Sequence, residues 1–510
     1  MKAFLMYRDR DFDPKVELPV NEPFLTQDLE LNTLFYAMGR GDKFLYEISR
    51  KAVLAGLKDK DTIIYRQDIL KDCLINSSVV KEIYDLARES IEKKKKEHYW
   101  FLGNYINPSL VLHSSVRIMQ MFLDYLKKLK NIAEEHSDKF KSVGFTRFFA
   151  MLKKELSDEY LTSVQDHLHE LEFRNGILMS AELGRGNKGV NYVLHKNRDR
   201  KQSWLARIVA RRAPAYTFRI PPRDEAGARA LGDLRVRGIN LVANALGQSA
   251  DHILNFFDML KTELAFYIGC LNLHEVLAAK GEPTCFPQPL AAGERGTRFQ
   301  GLYDVCLTLR LDQRVVGNNI NADGKDLVII TGANQGGKST FLRSLGLAQL
   351  MMQCGMFVPA ESFSADISDG IFTHYKREED VTMRSGKLDE ELSRMSDIVD
   401  NVKANSLILF NESFAATNER EGSEIARQII TALLEKRIKI WYVTHLYDFA
   451  HSFFEKNMEN AIFLRAERQA DGGRTFKISE GAPLETSYGE DLYNTIFRTS
   501  KNDFCLCSSR

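Results

Sequence analysis

The spacing of apolar residues changes several times along the chain, and the changes predict its elements. Up to about residue 60 the pattern is weak. Pro14, Pro19 and Pro23 interrupt the opening stretch, and only Thr33–Met38 and Phe44–Leu57 space their apolar residues as helices do. From about 60 to 175 the period is helical: Ile69, Leu70, Cys73 and Leu74 share one face, and Met119, Phe122, Leu123, Leu126 and Leu129 share another. Near 176 the texture shortens to that of strands, with 176–183 and 190–194 flanking the glycine-rich turn 184–189. Helical spacing returns over 228–280, with Ile239, Leu241, Val242, Leu246, Ile253, Phe256, Phe257, Leu260 and Leu264 as the expected apolar face. Gly281, Pro283, Pro287 and Pro289 then punctuate the chain and mark an expected domain boundary. Beyond it strands alternate with helices, the pattern of a doubly wound sheet. The expectation is therefore a multidomain protein: an N-terminal segment over 1–60, a mostly helical region over 61–280 with a small β insertion near 176–194, and an α/β domain over 290–510.

Within the last part, Asp326–Ser344 carries the strongest chemical signal. Leu327–Ile330 is short, apolar and rich in β-branched residues, which predicts a buried parallel strand. Phe341, Leu345, Ala348 and Met352 recur at helical spacing, and Gly355 is a natural stop. Between strand and helix lies Gly332-Ala-Asn334-Gln-Gly336-Gly337-Lys338-Ser339-Thr340, which fits the G-x-x-x-x-G-K-[ST] pattern. Glycines there let backbone N–H groups converge on phosphates, Lys338 reaches the β- and γ-phosphates of a nucleotide, and the Ser339 hydroxyl can ligate Mg²⁺. A glycine-rich turn with an accidental lysine is the plain alternative; the strand before and helix after argue against it. Two later apolar runs end in polar groups. Ser406–Phe410 leads into Asn411 and Glu412, where a carboxylate can act as general base on a water attacking the γ-phosphate. Ile440–Thr444 ends in His445, placed either to sense that phosphate or merely to cap the strand.

Composition adds limits. With 510 residues, 44% hydrophobic and 27% charged, the chain belongs to the globular class and buries more than one core. Its net charge of +1 leaves nucleic acid neither favoured nor excluded, so the clusters matter. Glu92–Glu97 and Lys127–Lys130 are lysine runs on helices, read as solvated faces or as DNA-facing patches. Lys196, Arg198, Arg200, Lys201, Arg207, Arg211, Arg212, Arg219 and Arg223 form the most cationic stretch, suited either to a phosphate backbone or to a surface ion-pair network. The seven cysteines, Cys73, Cys270, Cys285, Cys306, Cys354, Cys505 and Cys507, show no zinc spacing and point to a reducing, cytoplasmic setting. No apolar run is long enough to span a bilayer, and the opening residues do not form a signal peptide.

The ordered set of motifs resembles the ATPase domain of the DNA mismatch-repair MutS family. It comprises the 332–340 loop, Gly355-Met-Phe-Val-Pro-Ala360, Asn411-Glu412 with Thr417 and Gly422, Thr444-His445, and Ser487-Tyr-Gly489. Upstream, Arg66-Gln-Asp-Ile-Leu70 and the helices near 230–280 resemble that family's helical core and lever, and the strand pair near 176–194 stands where the family carries its DNA clamp. The resemblance implies an ABC-type ATPase using ATP and Mg²⁺, a homodimer with each nucleotide between one subunit's loop and the other's signature segment, and double-stranded DNA, mismatched or branched, as partner. It assigns Glu412 and His445 to catalysis, Gly332, Asn334, Gly336, Gly337, Lys338, Ser339 and Thr340 to the nucleotide, Ser339 and (through water) Asn411 to the metal, and Ser385 and Gly386 to the signature segment.

Three departures qualify it. Asn411 stands where the family has an aspartate, which predicts weaker metal binding and slow turnover. The aromatic that stacks on adenine is missing, with Val315 or Val316 in its place. Residues 1–60 are too few for the mismatch-reading domain and its connector. The leading expectation is thus an ATP-switched DNA clamp. The alternatives are a nucleotide-binding scaffold with little hydrolysis, or an ABC-type ATPase subunit of another machine.

Overall fold

The computed structural model describes residues 1–98, 108–174, 176–196, 219–377, 386–469 and 472–484. These gather into two compact units. The first contains Met1–Ala3, Ser78–Lys141 and the described residues of Phe145–Lys261; the second contains Phe4–Ser77, Ser142–Gly144 and the described residues from Thr262 onward. The Gly281–Pro289 stretch thus lies within the second unit, as do residues 4–77.

The helices that open the second unit are α1 (Glu22–Asp28), α2 (Leu31–Gly39), α3 (Lys43–Ala55) and α4 (Lys60–Ile75). Pro23 opens α1 instead of breaking it, because a first-turn residue has no intrahelical N–H partner to lose. Asp42 caps α3 by accepting from Phe44 N at 2.7 Å, and Asp59 caps α4 by accepting from Thr62 N at 2.9 Å.

The first unit is built from α5 (Ser77–His98), α6 (Pro108–His136), α7 (Val143–Glu155), α8 (Asp158–Leu171), the strand pair β1 (Leu178–Leu183) and β2 (Gly189–His195), and the first part of α9 (Glu225–Ala279). One of its cores joins Leu112 and Val116 of α6 to Ile239 and Ala243 of α9, and Phe122 meets Phe257 with ring centroids 5.8 Å apart. The antiparallel β1–β2 pair matches the expected insertion and is mostly exposed on both faces. The expected face of α9 is right at Ile239, Phe256, Phe257, Leu260 and Leu264 but wrong at Leu241, which is 75% exposed. Three consecutive apolar residues, Leu241, Val242 and Ala243, span most of a helical turn, so one of them must face outward.

The rest of the second unit contains two sheets. Strands β3 (Gln288–Leu290), β4 (Thr297–Leu302), β5 (Asn318–Asn321) and β7 (Ser362–Asp366) form a four-stranded sheet in the order β3-β7-β4-β5. The six-stranded sheet runs β12-β11-β6-β10-β9-β8, from β6 (Leu327–Gly332), β8 (Ile371–Tyr375), β9 (Leu407–Asn411), β10 (Lys439–Val443), β11 (Ala461–Arg468) and β12 (Arg474–Glu480). All its neighbouring pairs are parallel except β11–β12. Helices α10 (Val305–Arg310), α11 (Lys338–Gln353), α12 (Lys387–Asn401), α13 (Glu419–Glu435) and α14 (Tyr447–Glu455) complete it. Every residue of β6, β8 and β10 is buried, as expected of strands covered on both faces. A core of Ile329, Ile408, Phe410, Ile430, Tyr442 and Phe449 lies on one side of this sheet.

Candidate functional site

Parallel strands end on the same edge of their sheet, and loops at that carboxyl edge are where open α/β sheets bind ligands. Here the register Val443↔Ile330, Val443↔Asn411 and Tyr375↔Asn411 aligns the ends of β6, β10, β9 and β8. The residues that follow those strands therefore converge. After β6 comes the glycine-rich loop, after β10 Thr444 and His445, after β9 Glu412, and after β8 Lys376.

The loop is shaped by two glycines that no other residue replaces easily. Gly332 has φ +107°, and a Cβ there would lie 3.0 Å from Ala466 N. Gly337, at φ +85°, is the N-cap of α11, so the helix begins at Lys338 with its free N–H groups facing the cavity. Lys338 is buried, and its Nζ donates to Gly332 O and Ala333 O, each at 2.9 Å. Burial above all, and the Arg474 charge after it, lower its pKa to about 8 against the pull of Glu412.

Ser339 Oγ donates to Asn411 Oδ1 at 2.9 Å. Glu412 sits in left-handed backbone at φ +55°, anchored by its N–H to Val443 O at 2.9 Å, and its Oε1 lies 2.7 Å from His445 Nε2. That hydrogen bond, aided by the charges of His445, Lys376 and Lys338, holds the carboxyl below the usual glutamate range although burial opposes it. A cavity of about 510 Å³ is lined by Asn334, Gly336, Gly337, Lys338, Ser339 and Thr340 together with Glu412. Asn411 joins it through Ser339, His445 through Glu412, and Gly332 through the Lys338 ammonium.

The signature segment is only partly described, and the readings of the base-stacking aromatic and of the metal donors change. Ser385, with Arg384 and most of the 196–223 basic stretch, lies outside the described residues, as does Ser487–Gly489; Gly386 is the N-cap of α12 and is not among the cavity's lining residues. Val315 and Val316 do line the cavity, but so does an aromatic that sequence reasoning missed: Phe476 of β12, 48% exposed, whose Cδ1 would lie 3.4 Å from a Cβ at Gly337. The fit to Mg²⁺ is poor. The two oxygens at the expected metal position, Ser339 Oγ and Asn411 Oδ1, are neutral, whereas Mg²⁺ sites rely on one or two carboxylates besides the phosphates. The carboxylates that line the cavity are engaged elsewhere, Glu412 by His445 and Asp304 by Arg343, and among the described residues no group of three or more His, Cys, Asp or Glu could hold a metal.

Comparison with known proteins agrees with this architecture. Residues 58–280 match the MutS2 N-terminal domain, and residues 328–496 match MutS domain V. The chain belongs to the MutS family. It is 30% identical over 198 residues to MutS protein homolog 4 of Homo sapiens, covering 37% of this chain and 21% of that protein. It is 33% identical over 187 residues to DNA mismatch repair protein MutS of Thermotoga sp. (strain RQ2), covering 36% and 23% respectively. The matched segments thus span about a fifth of the length of these relatives.

Proposed function

We propose that the chain is an ATP-binding, slowly hydrolysing DNA-binding protein that acts as a homodimer in the cytoplasm, related in role to DNA mismatch repair. The observation that carries the reading is the convergence, at one sheet edge, of a glycine-rich helix N-terminus, Lys338, the Ser339–Asn411 pair and the Glu412–His445 pair. In this reading the backbone N–H groups at the start of α11 hold the β-phosphate, and Lys338 exchanges its two carbonyl partners for β- and γ-phosphate oxygens. Phe476 offers an aromatic face for the base. Glu412 takes the proton of the attacking water, and His445 fixes the orientation of that carboxylate. DNA contact is assigned to the exposed β1–β2 pair and the basic stretch that follows it, where cationic side chains bind phosphates without reading bases. Relatives named for DNA mismatch repair support a role on DNA.

The lysine runs and the first residue of the basic stretch give less support to a DNA face than their composition suggests. Lys94 pairs with Asp251 at 3.0 Å, Lys130 with Asp158 at 2.6 Å, and Lys196 with Glu170 at 2.7 Å. The neutral Asn411 favours a second reading, a nucleotide-gated scaffold whose hydrolysis is negligible.

The test combines ATP turnover with binding to fluorescent homoduplex, single-mismatch and four-way-junction DNA, with and without ATP, across a salt titration. The proposal expects measurable turnover that Lys338→Ala abolishes, and DNA affinity that ATP alters in the parent protein only. Turnover indistinguishable from Lys338→Ala with ATP-sensitive DNA binding would select the scaffold. DNA affinity indifferent to ATP would overturn the switch.

A further inference from the structure

The charge balance of the strand-end edge does not match its metal donors. Ser339 Oγ and Asn411 Oδ1 bring no negative charge, and Glu412 is tied to His445. Cations are plentiful by contrast. Lys338 points into the loop, Arg474 reaches it by donating to Asn334 O at 3.1 Å, and a third cation stands at the end of β8. This is Lys376.

Its backbone N–H and the side chain of the next residue are both held. Lys376 N donates to Asn411 O at 2.9 Å, one residue before Glu412, and the next residue, Arg377, is held by Asp28 at 3.1 Å and by Gln27. The Lys376 side chain is exposed and makes no ion pair or hydrogen bond with a described residue. Its charge nonetheless acts on the Glu412 carboxyl, as does that of Lys338. A lysine that merely coats a surface needs no such place: beside the pairing of β8 with β9, at the edge where the Ser339–Asn411 pair ends. A flexible four-carbon stem carrying a point charge suits a polyphosphate that arrives after folding.

We propose that Lys376 supplies, from the chain itself, the positive charge that the neutral Asn411 does not recruit as a divalent cation, so that the site binds nucleoside triphosphate largely independently of Mg²⁺. The inference rests on the nucleotide-binding reading above. The Lys338 ammonium at the loop and the Lys376 ammonium brought in from the end of β8 together replace the usual lysine and metal pair. Hydrogen bonds to charged groups contribute about 1.5–3 kcal/mol, so losing one in the absence of metal costs roughly ten- to a hundredfold in affinity.

The experiment is a fluorescence titration with an N-methylanthraniloyl ATP analogue, in excess Mg²⁺ and in excess EDTA. It compares the parent protein with Lys376→Ala, Lys376→Arg and Lys338→Ala. The parent affinity should change less than about threefold between the two conditions, whereas Lys376→Ala should lose about tenfold or more in EDTA and much less in Mg²⁺. Lys376→Arg, which keeps the charge, should stay near the parent in both. A merely structural role for Lys376 would shift both conditions alike and would overturn the proposal. So would a parent protein that loses about tenfold in EDTA, or a Lys376→Ala variant that matches the parent there. Absence of binding by the parent in either condition, or binding unaffected by Lys338→Ala, would instead remove the nucleotide reading on which the proposal stands.

Discussion

At the scale of single residues, the site turns on Lys338, whose chemistry differs from its free state, and on the neutral Asn411. Lys338 loses solvent and titrates at about 8, so its ammonium is only partly retained in mildly alkaline solution. A phosphate bound beside it favours the charged form, so binding takes up a proton wherever the free lysine has released one. Nucleotide affinity should therefore hold steady below about pH 7 and fall as pH rises from 8 toward 9, which a pH series of the fluorescence titration would measure. Lys338→Arg, whose guanidinium does not titrate there, should flatten that fall even if its affinity is lower throughout. Asn411 makes the opposite kind of prediction. Asn411→Asp places a carboxylate next to Ser339 Oγ, creates the charged donor that Mg²⁺ requires, and should raise Mg²⁺-stimulated turnover about tenfold; turnover unchanged or lower would refute the assignment of slow hydrolysis to Asn411. The loop itself was legible because its chemistry is local: six positions from Gly332 separate it from Ser339, and the flanking strand and helix have their own periods. Phe476 was not, because it comes from a strand more than a hundred residues later and meets Gly337 only through the β6–β11–β12 pairing.

Elements were legible where a period was long and undivided, and less so where tertiary pairing decided the matter. The strands at β6, β9 and β10 and the stop at Gly355 lie where the sequence puts them. Gly355 has φ +83°, and a Cβ there would come within 2.5 Å of Arg66 Cβ. The proline-rich 281–289 stretch, by contrast, is no free linker. Cys285 bridges to Val358 and β3 pairs with β7, contacts that no local pattern announces. A similar long-range device joins β8 to its neighbours. The buried ring of His374 contacts Ser413 Oγ at 2.7 Å through Nδ1 and Glu391 O at 2.9 Å through Nε2, tying β8 to α12 and to the turn after Glu412. Burial first, and the Arg394 and Arg377 charges after it, depress its pKa to about 4. The unfolded chain takes up this proton near the ordinary histidine value, so the stability contributed by the neutral ring is complete above about pH 6.5 and is lost as pH falls toward 4, by roughly 3 kcal/mol at most. Thermal melts of the parent protein and His374→Gln across pH 7 to 4 should show the steeper loss in the parent. Parallel curves would mean that the ring is solvated on this timescale and does not hold the sheet edge.

At the scale of the whole molecule, the second unit draws together chain segments that the sequence keeps far apart. Residues 1–60 carry little periodic signal, yet residues 4–77 are part of the unit that bears the loop. The reason is a set of buried polar clasps. Glu263 of α9 is fully buried, and its carboxyl oxygens accept from Leu5 N at 2.7 Å and Phe12 N at 2.9 Å, the former across 258 positions. Tyr267 Oη donates to Leu5 O at 2.5 Å, Tyr65 Oη to Phe4 O at 2.6 Å, and Arg66 Nε to Met6 O at 2.9 Å. Side chains on two helices thus satisfy the backbone of a segment that forms no ladder of its own, which is why no propensity could reveal it. Burial raises the Glu263 pKa to about 7, Asp11 adds to that rise, and the two N–H groups with Arg66 oppose it. Because the folded value lies above the unfolded one, its ionisation costs stability progressively as pH rises from about 4.5 to 7 and no further above that. Glu263→Ala would leave two buried N–H groups unpaired and should destabilise the unit by about 2–5 kcal/mol, with faster amide exchange at Leu5 and Phe12 before any other change. If the segment were an appendage, its loss would spare the loop. Since it belongs to the same unit, removal of residues 1–60 should lower the melting temperature and abolish nucleotide binding together, whereas Lys338→Ala should abolish binding alone.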